Sequence, residues 1–173
     1  MDASDRVPVR CEILPVVCID RRAAYLRPER AWWVAHRPGL HPTESVATAL
    51  AGAFEPIYDP SGIVVHSTSW RFDQDMLILS FLALLPVVSP LACPAGFSVV
   101  EVARPAEPAE PGFISDAQVL AHGLRHFALL RLTDPQISRA LCSEWHEALA
   151  VWEPLPAGML DHYRLVSAGS SGG

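Results

Sequence analysis

An α+β domain, with a mixed sheet covered by a helix on each side and an additional C-terminal helix, is the fold this sequence predicts. Three observations predict it. Between residues 7 and 102, β-branched and apolar residues come in short runs separated by Pro, Gly and Asp, which is the pattern of strands and turns. Within that region Val46, Ala49, Leu50, Ala53 and Phe54 recur at helical spacing and form one apolar stripe. After the proline-rich stretch RPAEPAEPG at 104–112 the pattern becomes helical. At 173 residues, 50% hydrophobic and 18% charged, the chain holds enough apolar surface for one packed core. The expected organisation is a single domain over 1–166, strand-rich at 7–102 and helical at 115–165, followed by a flexible SAGSSGG tail at 167–173.

Composition excludes several classes of function. Net charge is −6 and all 13 basic residues are Arg, so the basic excess of a duplex-binding surface is missing and no nucleic-acid partner is expected. The 4 cysteines, Cys11, Cys18, Cys93 and Cys142, lie in apolar contexts without CxxC spacing, which argues against a zinc knuckle or a disulfide framework. They read as small core residues in a reducing compartment. The N-terminal MDASDRVPVR has no apolar segment of a secretion signal. The longest apolar run, Met76 to Val88, is interrupted by Ser80 and Pro86 and is too short for a membrane span, so a cytoplasmic protein is expected.

The first strand spans Val9 to Ile19, with Pro15 expected at an edge or a bulge because it cannot donate to a ladder. Asp20 to Arg30 reads as a charged turn, anchored by Tyr25 and Leu26, and Trp32 to His36 as a second strand. A Pro/Gly loop then leads into the helix, with Thr43 as its cap, Glu44 favoured by the dipole of the first turn, and Pro56 as its stop. Asp59-Pro60-Ser61-Gly62 is a turn, and Ile63 to Phe72 with Met76 to Leu85 form a hairpin across Asp73-Gln74-Asp75. MLILSFLALL is apolar on both faces and belongs at the centre of the sheet. Its partner alternates His66, Thr68, Trp70 and Phe72 against Val65, Ser67, Ser69 and Arg71, and one polar side needs somewhere polar to point. The strand is either a pocket wall, with Trp70 stacking on a ring and Arg71 holding an anion, or an edge strand whose hydroxyls face water. Phe97 to Val102 is the last strand of this part.

Thr43-Glu44-Ser45 resembles the Gly-Glu-Ser of the Nudix hydrolases, and Pro38-Gly39 resembles the Pro-Gly-Gly loop before it, within the same order of strand, loop, amphipathic helix, strands and late helix. The resemblance spans residues 7 to 131 and implies an α/β/α sandwich. In that family the helix carries an Arg-Glu pair and two adjacent glutamates that hold a divalent metal on a diphosphate. Here those positions are Gly52, Ala53, Pro56 and Ile57, with Glu55 one place out of register. Magnesium needs several oxygen ligands, and this helix supplies two at most. The resemblance therefore implies a scaffold without the usual hydrolysis, with Glu44 the one candidate left for catalysis. Arg37, at the mouth of the loop, is placed to clamp a phosphate in a bidentate fashion or simply to face solvent.

Ser115-x-x-Gln118 is a capping box, with Ile114 and Val119 in the staple positions. Along that helix Leu120, Leu124 and Phe127 make the buried stripe, and His122 and His126 fall four apart on another face. Such a pair binds a metal when a third ligand arrives, for which His146 and Glu144 are the candidates. The absence of an internal Glu and the neighbouring Arg125 favour an ordinary surface, and no metal site is expected. Asp134 caps and Pro135 opens a further helix carrying Ile137, Leu141, Trp145, Ala148, Leu149 and Trp152, ended by Pro154. It packs on the core or forms a homodimer face.

No GxSxG, GxGxxG or P-loop occurs. The expected function is a non-catalytic module binding a nucleotide-like or other small anion through Arg37, His66, Trp70 and Arg71, without a cofactor. The alternatives are a hydrolase using magnesium or manganese and acids rebuilt from Glu44, Glu55, Asp73, Asp75 or His66, and an interaction module using the tryptophan helix.

Overall fold

The apolar run marked as central by its sequence is the middle of the sheet. In the computed structural model, which describes residues 7–35, 41–54, 57–86, 93–102 and 114–159, strand β5 (Met76–Leu84) lies between β1 (Val9–Ile19) and β4 (Val64–Asp73). β5 runs antiparallel to β4 and parallel to β1. The sheet continues from β1 to β2 (Arg22–Pro28) and β6 (Phe97–Glu101), both antiparallel, and from β4 to the two-residue β7 (Gly158–Met159), parallel. With β3 (Trp33–Ala35) paired to the start of β1, this is a mixed seven-stranded sheet among the described residues.

Alternation along the central strands divides the core in two. Leu14, Val16, Leu82 and Leu84 face α2 (Asp116–Thr133) and α4 (Ser143–Ala150), and bury against Leu120, Leu124, Phe127, Trp145 and Leu149. Cys11, Ile13, Val17, Phe81 and Ala83 face the other way, against Val46, Leu50 and Phe54 of α1 (Pro42–Phe54). The α+β class and the helices on both faces are thus as the sequence predicts. None of the described helices is long and apolar enough to cross a membrane.

Several local features differ from the sequence reading. Asp20 to Arg30 is mostly strand. The turn is confined to Asp20 and Arg21, both at positive φ (48° and 64°), and β1 pairs with β2 from Ile19 and Arg22 onward. A tight two-residue hairpin with left-handed residues normally advertises itself by Asn or Gly, and here it carries Asp and Arg. Pro15 sits inside the sheet and not at its edge. It falls where the partner of β1 changes from β3, paired at residues 10 to 12, to β2, paired from Val16, so the missing N–H interrupts no ladder.

Thr43 does not cap α1. The helix opens at Pro42, and the carboxylate of Glu44 accepts the His41 amide (3.2 Å) while the Thr43 hydroxyl bonds the His41 ring (3.0 Å). The last helix is broken into α3 (Pro135–Ala140) and α4, because Leu141 and Cys142 are extended (ψ 134° and 170°). The bend buries Leu141 beside Trp145 and Trp152, so both tryptophans belong to the core of this chain. Cys11 and Cys18 are buried as expected, while Cys93 and Cys142 are exposed, against the expectation of core positions; all four are free thiols. The loop at 36–40, Glu55 and Pro56, the connector at 104–112 and the final segment and tail from 160 onward lie outside the described residues.

Candidate functional site

One extra residue in β4 decides which side chains meet. His66 pairs with Leu82 and Ser67 with Phe81, but Ser69 pairs with Ser80, Trp70 with Leu79 and Arg71 with Ile78, so Thr68 is the inserted residue of a β-bulge. Directly paired residues of an antiparallel ladder point to the same face. His66, Ser69 and Arg71 therefore share the α2 face with Ser80 and Ile78, and Trp70 and Phe72 point to the α1 face. The uninterrupted alternation expected from the sequence, with His66 and Trp70 on one side, is corrected by this bulge. Thr68 also faces α2, since its hydroxyl lies against Gly123 and bonds the Ser80 carbonyl (3.4 Å).

At one end of this face, Glu12, Ser80 and Arg71 are juxtaposed by β1, β5 and β4. The Arg71 guanidinium meets the Glu12 carboxylate end-on, Nη1 to Oε2 at 2.8 Å and Nη2 to Oε1 at 2.9 Å. Nη1 also donates to Ser80 Oγ (2.9 Å), which in turn donates to Glu12 Oε2 (2.7 Å). Both side chains are nearly enclosed, at 16% and 9% exposure, and Trp33 places its ring 5.9 Å from Arg71 Cζ. A guanidinium has five N–H groups. The contacts described use three, and the remaining Nε–H and Nη2–H project from a single edge of the plane. That edge is the geometry for bidentate binding of a carboxylate or phosphate. Nearby, burial together with the charges of Asp116 and Glu12 pushes the Tyr25 phenol well above its usual pKa. Glu12 is not among the candidates the sequence marks, although a lone acid inside VRCEILPVVCI is a signal for a buried partner.

A second polar group lies between β4 and α2. Nδ1 of His66 bonds the Ser67 carbonyl (2.8 Å), Nδ1 of His126 bonds the Leu155 carbonyl (3.2 Å), and their ring centroids are 5.2 Å apart. His122 is held by the backbone of Thr68. Burial lowers the pKa of both His122 and His126; Arg125 adds to the shift at His122, and His66 and His122 add to it at His126. His126 is thus buried, against the expectation of a helix surface. The Nε2 atoms of His122 and His126 and the Oγ of Ser69 are buried without a hydrogen-bond partner.

The other candidates lie elsewhere. Glu44 is on α1, across the sheet from Arg71 and His66, and its carboxylate closes its own helix end. Trp70 is partly exposed and stacks edge-on with Phe72 (6.0 Å). His146 Nε2 bonds the Ser138 carbonyl (3.0 Å), and Glu144 accepts from Ser143 (2.9 Å). Arg37 lies outside the described residues. A cavity of about 280 Å³ between Gly62, Val64, Pro86, Ala140, Cys142, Glu144 and Trp145 carries a carboxylate, Glu144, whose pKa is lowered by hydrogen bonds from its own amide and from Ser143. Among the described residues no group of three or more His, Cys, Asp or Glu side chains is placed to hold a metal ion. No family model matches the chain, and no curated protein matches it.

Proposed function

We propose that this protein is a non-catalytic binding or regulatory module for a small anionic ligand, on a scaffold resembling a Nudix fold whose metal-binding helix has lost its acids. The observation that carries this reading is Arg71. Its end-on pair with Glu12, its bond to Ser80 and its place over Trp33 fix the guanidinium, and the Nε/Nη2 edge, unused by any described residue, is then a preorganised fork for a phosphate or carboxylate. His66 lies on the same face of the same strand. Glu44, the residue the hydrolase alternative depends on most, is engaged with the His41 amide.

Thermal-shift and calorimetric titrations with inorganic phosphate, ADP and ADP-ribose, each with and without magnesium or manganese, test the proposal. Ligand at about 100 times its dissociation constant adds roughly 2.7 kcal/mol, a shift of a few degrees for a domain of this size. The expected result is a metal-independent shift that Arg71→Lys removes, because an ammonium keeps the charge but not the fork. Absence of heat with every anion counts against the binding module. Metal-dependent turnover that Glu44→Gln abolishes establishes the hydrolase in its place.

A further inference from the structure

We propose that His126, with His66 and His122 beside it, is a pH-sensitive latch that holds the stretch 153–159 against the edge of β4 near neutral pH and releases it in acid. The stretch reads EPLPAGM, and its two prolines remove the backbone donors on either side of Leu155. Most of residues 153–158 are exposed and none is buried, so little apolar area retains them. What holds this stretch is therefore a small set of hydrogen bonds.

Among the described residues, the hydrogen bonds of 153–157 run to two neighbours on α2. Arg125 donates from Nε to the Glu153 carbonyl (3.2 Å) and from Nη2 to the Glu153 carboxylate (2.8 Å), and the Leu155 amide donates to the Arg125 carbonyl (3.1 Å). His126 donates from Nδ1 to the Leu155 carbonyl (3.2 Å). Beyond these, β7 pairs with β4 at Ser69 and Trp70. Withdrawal of His126 frees the middle of the stretch and with it the β4 edge beside Arg71.

The ring of His126 is placed so that a second proton has nothing to bind. A carbonyl accepts and never donates, so Nδ1 carries the first proton, and Nε2 is buried without a hydrogen-bond partner. The titratable and charged groups around it are His66 from β4, with its ring 5.2 Å away, His122 and Arg125 from α2, and Glu153 from the stretch itself. Arg125 already engages the one carboxylate of this group. Burial first, and then the neighbouring histidines, disfavour an imidazolium in the closed form. Once the stretch lifts, the ring reaches water and titrates near its ordinary value of about 6.5. The open form then binds more protons than the closed one, so closure is complete above that value and weakens as pH falls below it.

Hydrogen exchange of the full chain at pH 7.5, 6.5 and 5.5, read by mass spectrometry with times scaled for the slower intrinsic exchange in acid, tests the latch. All three values lie above the ordinary carboxylate range, so the response reads the imidazoles. The peptide covering 153–159 should lose protection by pH 5.5 while β1 and β5 keep theirs. His126→Gln keeps a donor for the Leu155 carbonyl but cannot titrate, and should abolish this pH dependence. His66→Gln removes a ring that opposes the charge and should move the loss to lower pH; it carries the test if His126→Gln does not fold. Protection at 153–159 that is lost only in step with β1 and β5, or a pH profile that these variants leave unchanged, overturns the proposal.

Discussion

His126 is buried with a lowered pKa, and that sets how the protein responds to acid. Burial holds its ring and that of His122 below the value of about 6.5 at which they titrate in the unfolded chain. The unfolded state therefore binds more protons below that value, and stability falls as pH drops. Urea denaturation between pH 7.5 and 5 should show a midpoint that decreases with acidification, and His126→Gln should flatten that dependence. Glu12 and Arg71 make the complementary case. Removing one partner of a nearly enclosed ion pair leaves an uncompensated charge, so Glu12→Gln should lose about 3–5 kcal/mol, read from the denaturation midpoint.

At the level of elements, β4 and α2 are matched through small features. The bulge at Thr68 turns Arg71 toward Glu12 and Ser80, and Gly123 lets the helix approach the strand. A Cβ on Gly123 would lie 3.0 Å from Leu82 Cδ1 and 3.1 Å from Thr68 Oγ1, and Leu82 is completely buried. Gly123→Ala gains up to about 1 kcal/mol of helix propensity, yet forces neighbours that have nowhere to move, at a cost of about 1–3 kcal/mol. The net outcome should be destabilisation, visible as a lower Tm. The other end of α2 is secured locally: the Ser115 amide donates to the Gln118 side chain (2.8 Å) and the Gln118 amide to Ser115 Oγ (3.4 Å).

Across the molecule, two cores share one sheet, and the α1 side is the aromatic one. Phe54 is fully buried and contacts Trp32, Phe97 and Tyr58 at 5.4–5.8 Å between ring centroids. Phe54→Ala should cost about 3–5 kcal/mol, read from the midpoint of chemical denaturation.

Local chemistry was legible in the sequence: the capping box at Ser115, the hairpin between β4 and β5, the two-faced burial of MLILSFLALL and the amphipathic stripe of α1 all follow from spacing and turn residues. These signals lie within a few residues of one another, and periodicity reads them directly. The strand at Arg22–Pro28 was hidden because its turn uses Asp20 and Arg21 in place of the usual Gly or Asn. The candidate sites depend on longer distances. A single inserted residue, Thr68, reverses the phase of β4, and alternation alone contains no sign of it. The partners of Arg71 and His126 stand 59 and 29 residues away in the chain, at Glu12 and Leu155. Composition, the α+β class and the absence of a complete acidic helix were settled by sequence alone. Which charges meet, and which histidine rings come together, were settled by the register of the strands and the close approach of α2.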